Sequence, residues 1–249
     1  MHIGALLGVG NTADVFEWED NKVLKLFHEG YPDGAVNMEF NNAMAIRDLE
    51  FLKPKAHGLT TYDGRKGIIY DRVEGESLQD WVLRTGNLSL CAEYMAKIHK
   101  DMINTEVYNV PDYKDFLRHH VPNTLSDEQK DKLLRMIDCL ADGNTLCHGD
   151  FHPGNILISE DRLFIIDFMN VCHGTYLYDI ARTVFLVEYT PVPKEVPNRD
   201  MIIQFKKALT DLYLVHMNVS RDMIKDYLTV IQAVRKGECP DEGTCEEVI

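Results

Sequence analysis

Leu146-Cys147-His148-Gly149-Asp150-Phe151-His152-Pro153-Gly154-Asn155-Ile156-Leu157-Ile158-Ser159-Glu160-Asp161-Arg162-Leu163-Phe164-Ile165-Ile166-Asp167-Phe168 decides the reading of this chain. Asn155 follows Asp150 after four residues; an apolar run covers Ile156 to Ile158, and a second, Leu163 to Ile166, ends on Asp167. Two short apolar runs around the polar residues Glu160, Asp161 and Arg162 predict an antiparallel hairpin with a three-residue loop. In that register Asn155 and Asp167 are expected to lie opposite each other at the open end, beside the loop that holds Asp150. An acid, an amide and a second acid then converge without a long connection. Such a set suits phosphoryl transfer, in which one carboxylate accepts a hydroxyl proton while an amide oxygen and a second carboxylate hold Mg²⁺ on nucleotide phosphates. A plain structural hairpin accounts for the apolar runs but not for the three polar side chains at these spacings.

His148, Asp150 and His152 alternate, and His-x-Asp-x-His also suggests zinc ligands. Zinc sites want three or four nitrogen or sulfur donors. That scheme leaves Asn155 and Asp167 unexplained, so it is the weaker one.

His148-Gly149-Asp150, Asn155 and Ile165-Ile166-Asp167-Phe168 together resemble the aminoglycoside phosphotransferase and choline kinase superfamily, kinase-like enzymes that phosphorylate small molecules. Protein kinases usually carry Arg at the place of Gly149 and Gly at the place of Met169, so the Gly149 form favours the small-molecule branch. The resemblance implies Asp150 as catalytic base, Asn155 and Asp167 as Mg²⁺ ligands, and ATP as co-substrate, with GTP left open. It makes His148 a structural hydrogen-bonding residue and puts His152 near the site without a defined role.

A kinase also needs a phosphate-covering loop and a lysine. Leu6 to Phe16 supplies the loop, with Gly8 and Gly10 allowing close backbone approach and Asn11 and Thr12 offering side-chain donors. Gly-x-Gly alone marks many ordinary turns; Lys25 strengthens the case. The two-residue period of a strand puts Val23, Lys25 and Phe27 on one face, and a lysine there is costly unless its charge is paired. In a helix expected from about Ala35 to Glu50, Ala35, Glu39, Ala43 and Ile46 share a stripe, which makes Glu39 the expected partner. A strand pair at about Ala56 to Thr61 and Lys66 to Val73 follows. Its end resembles the hinge of the superfamily, with Tyr70 behind the adenine and the backbone of Asp71 and Val73 on the adenine edge.

With 249 residues and 45% apolar content the chain can bury a sizeable core. No run approaches the roughly 18 apolar residues of a membrane span, and no signal-peptide pattern opens the chain. Six cysteines in a chain of this length form no disulfide framework, which points to a reduced, cytoplasmic protein. Cys91 and Cys139 are expected on buried helix faces, and Cys239 and Cys245 are close enough in sequence to pair. A formal charge of −14 argues against nucleic acid and is compatible with a cationic substrate.

Beyond the hinge the pattern is helical: Glu76–Thr85, Leu90–Met102, a capping box at Ser126–Gln129 opening a helix to about Leu140, Tyr176–Tyr189, Met201–Val215 and Asp222–Val234. His99 reads as a packing histidine, and Asp179 matches a family position that braces the catalytic loop. The expected fold is α+β and protein-kinase-like: a nucleotide-binding N-lobe over residues 1–73, with a five-stranded antiparallel sheet and one helix, and a mainly helical C-lobe over 74–249. The acceptor is expected to be a small hydroxylated molecule, bound by segments that include Asp112, Asp115, Met169, Asn170 and His173, with the protein a monomer or weak dimer and no membrane partner. A kinase acting on a protein side chain and a nucleotide-binding regulator without turnover are the alternatives. The short connection from Asp167 to Tyr176 counts against the first, and the presence of Lys25, Asp150, Asn155 and Asp167 against the second.

Overall fold

The computed structural model describes residues 3–240. In chain order the elements are β1 (Leu6–Val9), β2 (Ala13–Trp18), β3 (Lys22–Phe27), α1 (Asp33–Ala45), β4 (Ala56–Tyr62), β5 (Arg65–Asp71), β6 (Glu76–Ser77), α2 (Leu78–Thr85) and α3 (Leu88–Ile103). There follow α4 (Tyr113–His119), α5 (Asp127–Cys139), β7 (Thr145–Cys147), β8 (Ile156–Ser159), β9 (Arg162–Ile165), β10 (Cys172–Gly174), α6 (Tyr176–Val184), α7 (Arg199–Met217) and α8 (Arg221–Glu238). They form two compact units. One takes in the chain up to Ser77 together with Ile156–Asn170; the other takes in Leu78–Asn155 and the chain from Val171 onward.

The first unit is built on a five-stranded antiparallel sheet in the order β1-β2-β3-β5-β4, with α1 packed on it, as the sequence predicts. β4 and β5 turn through Asp63-Gly64, both left-handed, the signature of a tight hairpin turn. The core under the sheet gathers Phe27, Val36, Ala43, Ala56, Ile68 and Tyr70. Helix α1 ends at Ala45, not near Glu50: past Ile46 the backbone tightens into turns in which Arg47 N–H donates to Met44 O at 3.3 Å and Leu49 N–H to Ile46 O at 3.1 Å, and Lys53 Nζ holds the carbonyls of Leu49 and Phe51. Its buried stripe begins at Val36 rather than Ala35 and continues through Glu39, Asn42 and Ala43. β6, β8 and β9 make a small second sheet in which β8 lies in the middle.

In that sheet Ile156 pairs with Ile165 and Ser159 with Arg162. The loop therefore has two residues, Glu160 and Asp161, both at positive φ, and Arg162 is already in the strand. This corrects the three-residue loop and the direct opposition of Asn155 and Asp167. With Ile156 opposite Ile165, Asn155 stands one residue before β8, in the turn Pro153–Asn155, and Asp167 two residues after the end of β9.

The second unit is mainly helical. The capping box forms as expected: Ser126 Oγ accepts from Gln129 N–H, and the Gln129 side chain accepts from Ser126 N–H. Helix α6 ends at Val184 and passes into a π-turn over Phe185–Tyr189. β7 and β10 place Cys147 and Cys172 opposite each other as free thiols, while Cys139 is exposed on α5 and not in the core. Cys245 lies outside the described residues. Among the described residues no helix is long and apolar enough to cross a membrane.

Candidate active site

The first unit holds a buried charge cluster. Lys25 Nζ lies 2.8 Å from Glu39 Oε1, 3.0 Å from Glu39 Oε2 and 2.9 Å from Asp167 Oδ1. Tyr70 Oη donates to Glu39 Oε1 at 3.1 Å, so the fully buried Glu39 has each oxygen satisfied. Burial pushes the Lys25 ammonium towards deprotonation, but the Asp167 and Glu39 carboxylates outweigh it and hold its pKa well above the usual lysine value. Burial raises the Glu39 pKa, with Lys25 opposing, and burial beside Glu39 raises Tyr70 strongly.

This cluster forms one wall of a cavity of about 550 Å³, a size suited to a small-molecule ligand. Gly8, Lys25, Glu39, Tyr70, Asp71, Val73 and Asp167 line it, with Leu7, Val15, Val23, Leu157 and Phe168 supplying apolar surface. Gly10, Asn11 and Thr12 do not line it. They make the β1–β2 turn, in which Gly10 N–H donates to Ala13 O at 3.0 Å and Thr12 O accepts from His28 N–H at 2.9 Å. Asp71 is fixed through its side chain, which accepts from Lys55 N–H at 3.0 Å and lies 2.5 Å from His57 Nε2.

Asp167 adopts φ +66°, in the left-handed region that few residues other than glycine enter. Such a backbone persists when its surroundings over-determine it. Lys25 holds the carboxylate, and Asn42 Nδ2 donates to Met169 O at 3.0 Å and reaches Phe168 O at 3.5 Å. Asn42 carries no motif signal in the sequence, although it stands one turn after Glu39 on the same face of α1. Met169, expected among the acceptor residues, is half-buried and packs against the core, and its sulfur accepts from Tyr31 Oη at 3.4 Å. Its apolar side chain suits that place.

Lys25→Met removes the cation between two acids. Because Lys25 is mostly buried and Glu39 wholly so, urea denaturation is expected to register a loss of about 3–5 kcal/mol. Adding Glu39→Gln should restore part of it. Effects that add within about 0.5 kcal/mol would contradict the ion pair.

The second unit holds Asp150 and Asn155. Asn155 Nδ2 donates to Asp150 O at 2.9 Å and to Asp150 Oδ2 at 3.1 Å, which turns the amide oxygen away from those bonds. The loop before Asp150 is fastened from α6. Asp179, fully buried, accepts from His148 N–H at 2.8 Å and from Gly149 N–H at 2.9 Å. Burial alone would raise the pKa of Asp179, but its hydrogen bond and proximity to His99, with His148 adding, hold it below the ordinary carboxylate value. His99 lies 2.9 Å from Asp179 Oδ2 through Nε2 and 2.6 Å from Tyr213 Oη through Nδ1, and stacks on Phe151 at 4.0 Å. The carboxylate only accepts, so His99 Nε2 donates to it. This is the satisfied packing histidine that the sequence suggested.

His148 is buried, and its Nδ1 accepts from Asp150 N–H at 3.2 Å. His152 Nδ1 accepts from Gly154 N–H at 3.1 Å, and its Nε2 lies 3.8 Å from Asp150 Oδ2. Asp112 caps α4 by accepting from Lys114 N–H at 2.7 Å, Asp115 pairs with Arg118 at 2.9 Å, and His173 Nδ1 lies 3.1 Å from Gly143 O.

A family model described as the phosphotransferase enzyme family (APH) matches residues 4–200. No curated protein matches the chain. Among solved structures, it is similar to the amicoumacin kinase hAmiN in complex with AMP-PNP, Ca²⁺ and Ami, with a TM-score of 0.61 and 16% identity over 99% of this chain and 83% of that one. An aminoglycoside-3'-phosphotransferase of type VIII gives a TM-score of 0.60 and 15% identity over 92% of each chain. The gentamicin complex of APH(2")-IIa gives 0.54 and 17% over 96% of this chain and 87% of that one. At these identities the structures speak for the protein-kinase-like fold, whereas the family match rests on the sequence itself. The chain belongs to the phosphotransferase enzyme family and is a small-molecule kinase.

Proposed function

We propose that this protein transfers the γ-phosphoryl group of ATP to a hydroxyl of a small molecule, with Asp150 as the general base. The observation that carries the nucleotide half is the cavity lined by Lys25, Tyr70, Val73 and Asp167. A paired ammonium at one place and apolar surface from Leu7, Val15 and Leu157 at others suit phosphates and a purine respectively. Among the described residues the backbone N–H and C=O of Val73 have no backbone hydrogen-bond partner, which leaves both for an adenine edge.

Mg²⁺ is a hard cation that takes oxygen ligands and keeps substrate phosphates in its shell, and the side chains of Asn155 and Asp167 each carry an oxygen of that kind. Asn155, whose nitrogen is committed to Asp150, would offer its amide oxygen, and Asp167 a carboxylate. When bound, the ion neutralises charge on the transferring phosphoryl group. The chain's own residues do the rest. Asn155 keeps the Asp150 carboxylate oriented through the bond to Oδ2. Asp150 accepts the hydroxyl proton as the acceptor oxygen forms its bond to the γ-phosphorus and the bond to the β–γ bridging oxygen breaks. The Lys25 ammonium stabilises negative charge on the phosphates. Positioning and charge neutralisation supply most of the rate in such transfers.

We take the acceptor to be hydroxylated and cationic, since a chain with a net charge of −14 concentrates positive ligands. We place the protein in a reducing, cytoplasmic compartment, since six cysteines in a chain of 249 residues form no disulfide framework. The test is Mg²⁺-dependent ATP consumption against a panel of cationic, neutral and anionic hydroxylated compounds. Turnover should be confined to cationic acceptors, and their KM should rise with salt, because screening shortens the field to about 8 Å at physiological ionic strength. A neutral or acidic acceptor with salt-independent KM would mean that the charge belongs only to the solvated surface.

A further inference from the structure

We propose that Arg182 and Glu238 are positioning residues for the catalytic base, so that the last turn of α8 is part of the apparatus that holds Asp150 in place. The proposal rests on the reading of Asp150 given above. Arg182 lies on α6 and is 1% exposed. Its Nε donates to Gly149 O at 2.9 Å. The other edge of the guanidinium faces Glu238: Nη1 donates to Oε2 at 2.8 Å, and Nη2 donates to Oε1. Arg235 Nη1 lies 3.0 Å from Glu238 Oε2. Burial would favour the neutral acid, but Arg182 and Arg235 hold the Glu238 pKa below its ordinary value.

The arrangement fixes both peptide planes that flank Gly149. Its N–H, part of the peptide from His148, is held by Asp179; its C=O, part of the peptide to Asp150, is held by Arg182. Asp179 and Arg182 stand one turn apart on the same helix and so share a face. Gly149 itself has φ +74°, a freely rotating position in any peptide not held in this way. With both planes set, the direction in which Asp150 leaves the loop is set too.

Glu238 does not touch the loop. It acts by aiming the guanidinium, whose planar fork matches a carboxylate in two parallel hydrogen bonds. The end of α8 that carries it is firmly seated: a Cβ on Gly237 would lie 2.1 Å from His120 O, so only glycine allows that approach. A charge buried on α6 is thus tied to a helix end 56 residues later in the chain. A lysine could keep the charge but could not serve Gly149 O and both Glu238 oxygens together.

The test compares Arg182→Lys, Glu238→Gln and the pair Arg182→Met with Glu238→Met in the full chain. The double variant removes both charges at once and so keeps a folded protein if the single ones fail. Hydrogen exchange at His148 and Gly149 should accelerate at least tenfold in every variant. The kcat should fall by about 10²-fold in Arg182→Lys and in the double variant, the scale of a base displaced by about 1 Å, while Mg-ATP affinity stays within twofold. A merely structural role would lower stability and leave kcat per folded molecule unchanged. Wild-type kcat or wild-type exchange in the folded Arg182→Lys or double variant would overturn the proposal, and so would equal losses of kcat and nucleotide affinity. If the wild type itself transfers nothing, the kinase reading fails, and the exchange rates alone then judge the clamp.

Discussion

Asp167→Ala is expected to abolish Mg²⁺-dependent binding of ATP. A hard divalent cation loses its charged ligand, and an amide oxygen from Asn155 cannot replace a carboxylate. The fold should survive, because Lys25 keeps Glu39 as a partner at 2.8 Å and the turn keeps the Asn42 bond to Met169 O at 3.0 Å. One complication is local: the residue at φ +66° becomes an alanine, which disfavours that region by about 1–2 kcal/mol. Asp167→Asn avoids it, since asparagine tolerates left-handed backbone, and it still lacks the charge. Both variants should give flat calorimetric titrations with Mg-ATP. Unchanged affinity in either would remove Asp167 from the metal site. Asn155→Ala should weaken binding in the same direction but less.

Asp150→Asn should leave Mg-ATP affinity close to that of the wild type and lower phosphoryl transfer by roughly 10²–10⁴-fold, the usual worth of a positioned general base. The substitution is nearly isosteric, so the contact from Asn155 Nδ2, at 3.1 Å in the wild type, can pass to the new amide oxygen. The loop before it is held through backbone groups of His148 and Gly149 that the change does not touch. Transfer at the wild-type rate would exclude Asp150 as the base.

Much of this was legible because short-range rules act on it. Strand alternation put Lys25 on an apolar face, helical spacing put Glu39 on another, and the two meet at 2.8 Å. The capping box at Ser126 and Gln129 is a local contact between neighbours and forms as written. Misreadings came where the deciding interaction was either finer or more distant. The hairpin register depended on whether Arg162 belongs to the loop, and left-handed Glu160 and Asp161 complete a two-residue turn without it. α1 stops early because the backbone tightens into turns after Ile46 whose carbonyls, at Leu49 and Phe51, are taken by Lys53, a contact that the apolar stripe of the helix does not announce. Arg182 and Glu238 carry no sequence signal as a pair, since no periodic pattern joins residues that far apart.

The most direct measurement is the fate of the γ-phosphoryl group itself. Wild type and Asp150→Asn are incubated with Mg-ATP, each saturated with nucleotide, together with the best acceptor of the panel. The acceptor is then analysed for a new phosphate ester. The account predicts that the wild type forms one ester per ATP consumed, on a hydroxyl oxygen, and that the Asp150→Asn protein, with nucleotide equally bound, forms at least about 10²-fold less. ATP consumed without an ester on any acceptor, or equal ester formation by the two proteins, would contradict it.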